Sequence, residues 1–342
     1  MRKYTSIEQF RNVIKDVQHW AKVKNGLRDE EGNLILAQPK TWLLPKLTFK
    51  GTVKLHGSNA SIVISDGSVG YQSRNRTLTI ESDNAGFALW ASQYNEIWRL
   101  MADDARLADV DNVKEVVIFG EWCGGNIQKG VAITGLNKMF VIFEVWLVTE
   151  DDKTFYFDID TWKFGEQLNE QNIWLITQFP TYELEIDFER PELAQNQLID
   201  ITMAVEKECP VGKHFGVSGV GEGVVWHHDI NPTTRLRFKV KGTEHQSSRV
   251  TTLAPVDVEK INAVSEFVSS VLTESRLNQG LDHLREFGKE LSVKSTGDYV
   301  KWVSGDVFKE ERDTIVANQL DAKVVGKHVA TEARKWFFEK VM

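Results

Sequence analysis

Short runs of β-branched and aromatic residues recur seven times between residues 47 and 241, and then give way to helical spacing. They occupy 47–55, 60–65, 116–122, 139–148, 154–159, 223–227 and 236–241. Runs of this composition suit a pleated, half-buried surface and read as strands. Helical periodicity fills the intervals at 7–22, 87–107 and 191–207, so this part of the chain is expected to form an α+β domain. From Pro255 onward Val264, Phe267, Val268, Val271 and Leu272 fall at helical spacing, as do Ile315, Leu320, Val324, Val325, Val329 and Phe337. A small all-helical domain is expected there. The polar stretch 242–255, closed by a proline that cannot continue a strand, is the expected linker. The expected division is therefore a helical lead over 1–45, a central domain over 46–245 and a helical domain over 246–342.

A length of 342 residues exceeds what one hydrophobic core usually organises, which agrees with two domains. With 42% apolar and 26% charged residues the composition is that of an ordinary globular protein. The two cysteines, Cys123 and Cys209, cannot build a disulfide framework and lack zinc-ligand spacing, so packed thiols in a reducing, cytoplasmic setting are expected. No apolar run approaches the ~20 residues that span a bilayer, and no membrane or obligate protein partner is inferred. A net charge of −8 argues against a protein that coats nucleic acid through a broad basic face. Any nucleic-acid site must be local.

Chemistry concentrates in a few segments. Lys54 precedes a His56-Gly57-Ser58-Asn59 turn at a strand end, where a lysine can be presented to a phosphate while glycine lets the backbone come close. A solvated edge-strand lysine is the plainer alternative. In Arg235-Leu236-Arg237-Phe238-Lys239-Val240-Lys241 the strand period places four cations on one face and three apolar residues on the other. Such a face repels itself unless something anionic lies against it, and a triphosphate or a nucleic-acid backbone would serve. Glu121 and Glu222 stand among glycines and core-type residues, where an unpaired carboxylate is costly, so each is expected to meet a lysine, a ribose hydroxyl or a divalent metal. Glu144 has the same standing. Phe140 fits either a core strand or a platform for a purine.

Taken in order, these segments resemble the nucleotidyltransferase motifs of the ATP-dependent RNA ligases, most closely the phage-type RNA ligase 2 family. Lys54-Leu55-His56-Gly57-Ser58-Asn59 is similar to the motif whose lysine takes AMP through a phosphoramide bond. Gln72-Ser73-Arg74-Asn75-Arg76-Thr77 resembles the segment whose arginine holds phosphate, with Arg74 favoured over Arg76 by its distance from Lys54. Phe119-Gly120-Glu121-Trp122, continued by 124–131, resembles the ribose-binding motif. Phe140 falls where the family carries an adenine-stacking aromatic. Glu222-Gly223-Val224-Val225 matches the metal-serving carboxylate motif, and Lys239 and Lys241 match two phosphate-binding lysines that help activate the nucleophile. The resemblance covers roughly residues 45 to 245. It implies an ATP-grasp-like ligase domain of antiparallel sheets with flanking helices, and family members of this type carry a small helical C-terminal domain. The long lead before Lys54 departs from the pattern.

The resemblance implies catalysis by Lys54, Lys239 and Lys241. It gives nucleotide contacts to His56, Asn59, Arg74, Glu121, Phe140, Glu222, Lys239 and Lys241, and a metal contact to Glu222. ATP as AMP donor, Mg2+ or Mn2+, and RNA ends as partner follow from it, as does a repair setting, phage-encoded in host cytoplasm. A DNA ligase or capping-type enzyme on the same core is the nearest alternative, although the OB barrel these usually append is not found. A non-catalytic nucleic-acid end-binding protein is another. A P-loop enzyme is excluded, because no Gly-x4-Gly-Lys-Ser/Thr run exists.

Overall fold

The computed structural model describes residues 1–25, 27–28, 34–36, 44–162, 165–242 and 264–341. Two compact units emerge, one of residues 1–8 and 15–242, the other of 9–14 and 243–342. Apart from Gly242, the segment read as a linker lies outside the described residues.

In chain order the elements are α1 (Phe10–Asn25), β1 (Leu27–Arg28), β2 (Leu34–Leu36), β3 (Lys46–Lys54), β4 (Ser58–Ser65), β5 (Ser68–Ser73) and β6 (Thr77–Leu78). There follow α2 (Phe87–Ala91), α3 (Asn95–Ala105), β7 (Val113–Cys123), β8 (Met139–Thr149), β9 (Thr154–Phe157), α4 (Gly165–Leu168), β10 (Ile173–Leu175) and β11 (Thr181–Asp187). The first unit closes with α5 (Gln195–Lys207), α6 (Pro210–His214), β12 (Gly223–Asn231) and β13 (Thr234–Lys241). The second carries α7 (Val264–Val271), α8 (Glu274–Glu286), α9 (Thr296–Ala317) and α10 (Ala322–Val341).

Two main sheets and a separate two-stranded antiparallel pair, β1-β2, build the first unit. The larger has seven strands in the order β10-β8-β7-β4-β5-β6, with β9 on β8, and is antiparallel except where β10 runs parallel to β8. The smaller is antiparallel throughout, ordered β11-β3-β12-β13. The smaller sheet has one apolar and one charged face, and the larger has one apolar face and one on which Glu121 and Glu144 stand among apolar residues. In the smaller, Phe49, Val53, Val224, Trp226, Phe238 and Val240 are buried on one side, while Lys54, Lys239 and Lys241 alternate onto the other. In the larger, Phe140 packs against Phe87, Trp90 and Trp98, with ring centroids 5.1, 6.2 and 6.1 Å away. The opposite face carries Val117, Phe119 and Trp146 under Tyr4.

The helix read over 7–22 starts at Phe10, because Arg2 to Glu8 lie against the two sheets instead. Tyr4 is buried there against Phe119 and Trp146, and Glu8 bridges Phe238. The single helix read over 87–107 is broken into α2, a 3-10 turn and α3.

The second unit is helical throughout its described residues. Phe267, Val271, Tyr299, Val303, Val329 and Phe337 form its core. Val324, read as part of the apolar series, is exposed. Arg276 is fully buried and is satisfied by Asp306 at 2.8 Å, the Val271 carbonyl at 2.6 Å and Glu311 at 3.4 Å. Arg11 reaches the same Glu311 at 3.2 Å, which accounts for the grouping of residues 9–14 with this unit.

Candidate functional site

Lys54 ends β3, and the register sets it opposite Gly223 of β12, which in turn faces Lys241 of β13. Three adjacent strand ends therefore deliver two lysines to one pleat. Gly223 is required between them: its φ is +147°, and a Cβ there would lie 2.2 Å from the Val240 carbonyl. The preceding Glu222, 2% exposed, takes both ammonium groups. Lys54 Nζ donates to its Oε2 at 2.7 Å, Lys241 Nζ lies 3.0 Å from Oε1, and His56 Nδ1 stands 3.4 Å from Oε2.

The electrostatics follow from that geometry. Burial works to raise the Glu222 pKa, but Lys54, Lys241 and His56 outweigh it and hold the carboxyl well below the usual range. The Lys241 ammonium is pulled below its ordinary value, chiefly by burial, with Glu222 opposing the shift.

The larger sheet contributes the facing wall. Glu121 of β7 is pushed up to about 7, chiefly by burial; Lys54 opposes the shift and the Glu222 charge adds to it. Its Oε1 accepts the Gly57 amide at 2.9 Å. A Cβ on Gly57 would lie 2.5 Å from the Trp122 carbonyl, so glycine is what lets the turn after Lys54 press onto β7. Asn59 is the register partner of Glu121 and shares its face. Lys54, His56, Asn59, Glu121, Glu222 and Lys241 are thus brought together across the gap between the two sheets. Lys239 lies one pleat along from Lys241, on the same face of β13.

Other expected residues fall differently. Arg74 is exposed beyond the end of β5 and donates to Ser6 Oγ at 3.3 Å. Arg76 is tied down by Ser82 and by the Asp83 carbonyl at 2.8 Å. Phe140 is not at the site. It is fully buried on the opposite face of the large sheet, and its ring occupies the space where a Cβ of Gly120 would sit, 2.5 Å away.

Arg235 and Arg237 do not wait for an outside anion either. Glu144 accepts from Arg237 at 2.6 and 2.7 Å and from Arg235 at 3.1 Å, and Asp229 pairs with Arg235 as well. The basic strand thus splits. Its arginines are neutralised by protein carboxylates, while Lys239 and Lys241 lie toward the Lys54 end.

With two lysines on one buried glutamate at the ends of three strands, the chain matches the RNA ligase family model over residues 48–241, more than half its length. The chain belongs to the RNA ligase family. Among solved structures this RNA ligase family member is similar to the Naegleria gruberi RNA ligase with PPi, at 16% identity and a TM-score of 0.44, covering 71% of this chain and 56% of that one. A lysine-to-alanine variant of that ligase, solved with ATP and Mn, gives 18%, 0.43, 71% and 57%. The chain thus spans little more than half the length of those structures. No curated protein matches it in sequence.

One aromatic was passed over in the sequence. A bulge in β8 sets Phe119 opposite Glu144 and the next residue, Gly120, opposite Ile142, leaving Phe143 as the extra residue. Phe143 is half-buried against Tyr4, at 5.3 Å between ring centroids, within the cluster on the Phe119 and Glu121 face. Strict alternation from Phe140 already assigns Phe143 to this face; the residue it would have assigned to the wrong face is Glu144, which the bulge brings round beside Phe119. The signal available was its odd spacing from Phe140, three residues along the same strand.

Proposed function

We propose that this protein is an ATP-dependent RNA ligase that joins a 3′-hydroxyl to a 5′-phosphate through a lysyl-AMP intermediate on Lys54. The observation that carries the reading is the sharing of buried Glu222 by Lys54 and Lys241, opposite Glu121. Lys54 Nζ would attack the α-phosphorus of ATP, forming the P–N bond as the bond to the pyrophosphate oxygen breaks. The ammonium proton must first pass to water, and Glu222, held ionised, orients the amine rather than keeping that proton. Lys239, Lys241 and Arg74 would neutralise phosphate charge, which is where catalysis of phosphoryl-type transfer chiefly lies. Glu121, with Asn59 and His56 beside it, would fix the nucleoside. A 5′-phosphate oxygen then takes the AMP from Lys54, and a 3′-hydroxyl displaces AMP from that end to seal the strand.

Among the described residues no three His, Cys, Asp or Glu side chains converge as a metal cage. A donor set of one buried carboxylate completed by nucleotide phosphates suits Mg2+ or Mn2+, and Glu222 is that carboxylate. The bound cation would stabilise charge on the phosphates and the leaving group.

The test is incubation with magnesium and ATP labelled at the α-phosphate, denaturing electrophoresis, and mass mapping of the adduct. Acid-labile AMP on the peptide containing Lys54 is expected. A protein stripped of prior AMP with pyrophosphate that still takes no label leaves an end-binding protein instead.

Phe143, not Phe140, is proposed as the aromatic that stacks on the base. Phe143→Ala is expected to raise the KM for ATP roughly 10-fold, in line with ~1–3 kcal/mol for base stacking, with little change in Tm. Phe140→Ala is expected to cost about 3–5 kcal/mol of stability instead, as a buried aromatic lost from a packed cluster. Steady-state adenylylation kinetics and urea melts of both variants check the assignment, which fails if Phe143→Ala leaves KM unchanged.

A further inference from the structure

The last helix, α10, gathers several cations on one side. Its inner side buries Val325, Val329, Ala333 and Phe337. On its outer side Lys323, Lys327, Arg334 and Lys335 are exposed and, among the described residues, have no side-chain partner. Other cations of the unit are paired, Arg285 with Asp282 at 2.6 Å, Lys289 with Asp298 at 3.1 Å, Arg276 with Asp306 and Lys340 of α10 with Glu274 at 3.4 Å, or stand apart on another helix, as Lys301 and Arg312 do on α9. At 3.6 residues per turn, Lys323, Lys327 and Arg334 fall within about 40° of one another around the axis and span about 16 Å along it. The Thr331 side chain falls between them and Lys335. Like charges at this spacing destabilise a helix, so the stripe works against folding unless an anion lies along it.

We propose that this outer face of α10 docks the phosphodiester backbone of the RNA. That the polyanion is RNA rests on the ligase reading of the first unit. The stripe itself supplies only cations and one hydroxyl. It has neither the asparagine or glutamine amides that read base edges nor, among its exposed residues, an aromatic on which a base could stack. It therefore grips without reading sequence and without telling RNA from DNA, so any preference for ribose must come from elsewhere. In a chain of net charge −8 it also keeps the basic surface local, which limits non-specific coating.

The full-length chain carrying K323Q, K327Q, R334Q and K335Q tests this, with labelled RNA of mixed sequence, single-stranded and duplex, and DNA of the same sequence. Affinity at ~0.1 M salt is expected to fall about 10-fold for both RNA and DNA, and the slope of log affinity against log salt to become shallower by roughly 2 to 3. The pair E332Q and E339Q, on the adjoining strip, should move binding the other way, a few-fold tighter. A misfolded helix would not give opposite signs. Labelling by ATP should be unchanged in both variants. A quadruple variant with wild-type affinity and salt slope overturns the proposal, as does a loss confined to RNA. A wild type that takes no label from ATP, while the slope still falls in the variant, removes the ligase reading and leaves the phosphate-binding face standing.

Discussion

Replacing Lys54 with alanine will reduce covalent labelling by ATP at least ~10^3-fold, because the proposed intermediate has no other nucleophile on which to form. The variant needs a companion, since Lys54 is also an ion-pair partner of Glu222 at 2.7 Å and its loss leaves a buried carboxylate with one cation fewer. Lys54→Arg supplies it. A guanidinium keeps the charge beside Glu222 but does not give up a proton in proteins, so it cannot attack phosphorus. Lys54→Arg should therefore keep wild-type resistance to urea and still take no label. Lys54→Ser should do no better than alanine, because its hydroxyl sits on a far shorter side chain. Sealing of a pre-adenylylated 5′ end, in which Lys54 is not the nucleophile, should survive in the arginine variant. Wild-type labelling of any of the three would remove Lys54 from the mechanism.

The smaller sheet was legible because its face alternates cleanly. Leu236, Phe238 and Val240 face a core, Arg235, Arg237, Lys239 and Lys241 face the other way, and one period-2 pattern determines both sides. β11 was missed although Tyr182, Leu184 and Ile186 also alternate. It is an edge strand whose outward positions, Glu183 and Glu185, are acidic, and such residues depress strand propensity while guarding an edge. The Arg2–Glu8 segment was missed for a different reason. It has no period of its own and is held by single contacts, such as the Arg2 amide donating to Gln72 at 2.9 Å and Thr5 Oγ1 accepting from Arg237 at 2.6 Å.

At the site, sequence order favoured what local turns enforce. Gly57 and Gly223 stand where only glycine fits, and each follows the residue or turn that delivers a functional side chain. What sequence could not apportion was counter-charge. Glu144 and Glu222 look alike as carboxylates in apolar runs, yet one meets two arginines and the other two lysines and a histidine. That choice depends on which strands become neighbours across the two sheets, a long-range fact invisible to any window along the chain.

Removing the carboxylate of Glu144 should therefore be a stability event. Glu144 is 3% exposed and accepts from Arg237, Arg235 and Trp146 Nε1, the last at 2.5 Å. Glu144→Leu would leave two nearly buried guanidiniums without their shared anion. Arg235 retains Asp229, whereas Arg237 keeps only hydroxyl partners such as Tyr4 at 3.0 Å and Thr5 at 2.6 Å. Breaking a buried pair from one side typically costs about 3–5 kcal/mol, and that is the loss expected in urea unfolding of the first unit. The double variant Glu144→Leu with Arg237→Leu should lose less than Glu144→Leu alone, because no orphaned charge remains and both positions turn apolar beside Phe119 and Trp146. The contact joins β8 to β13, and so fixes the sheet bearing Glu121 against the sheet bearing Lys241. Label uptake should therefore fall in Glu144→Leu even under conditions where circular dichroism shows it folded. A cost below about 1 kcal/mol for the single variant, or a double variant worse than the sum of its parts, would show that the cluster is not what holds the two sheets together.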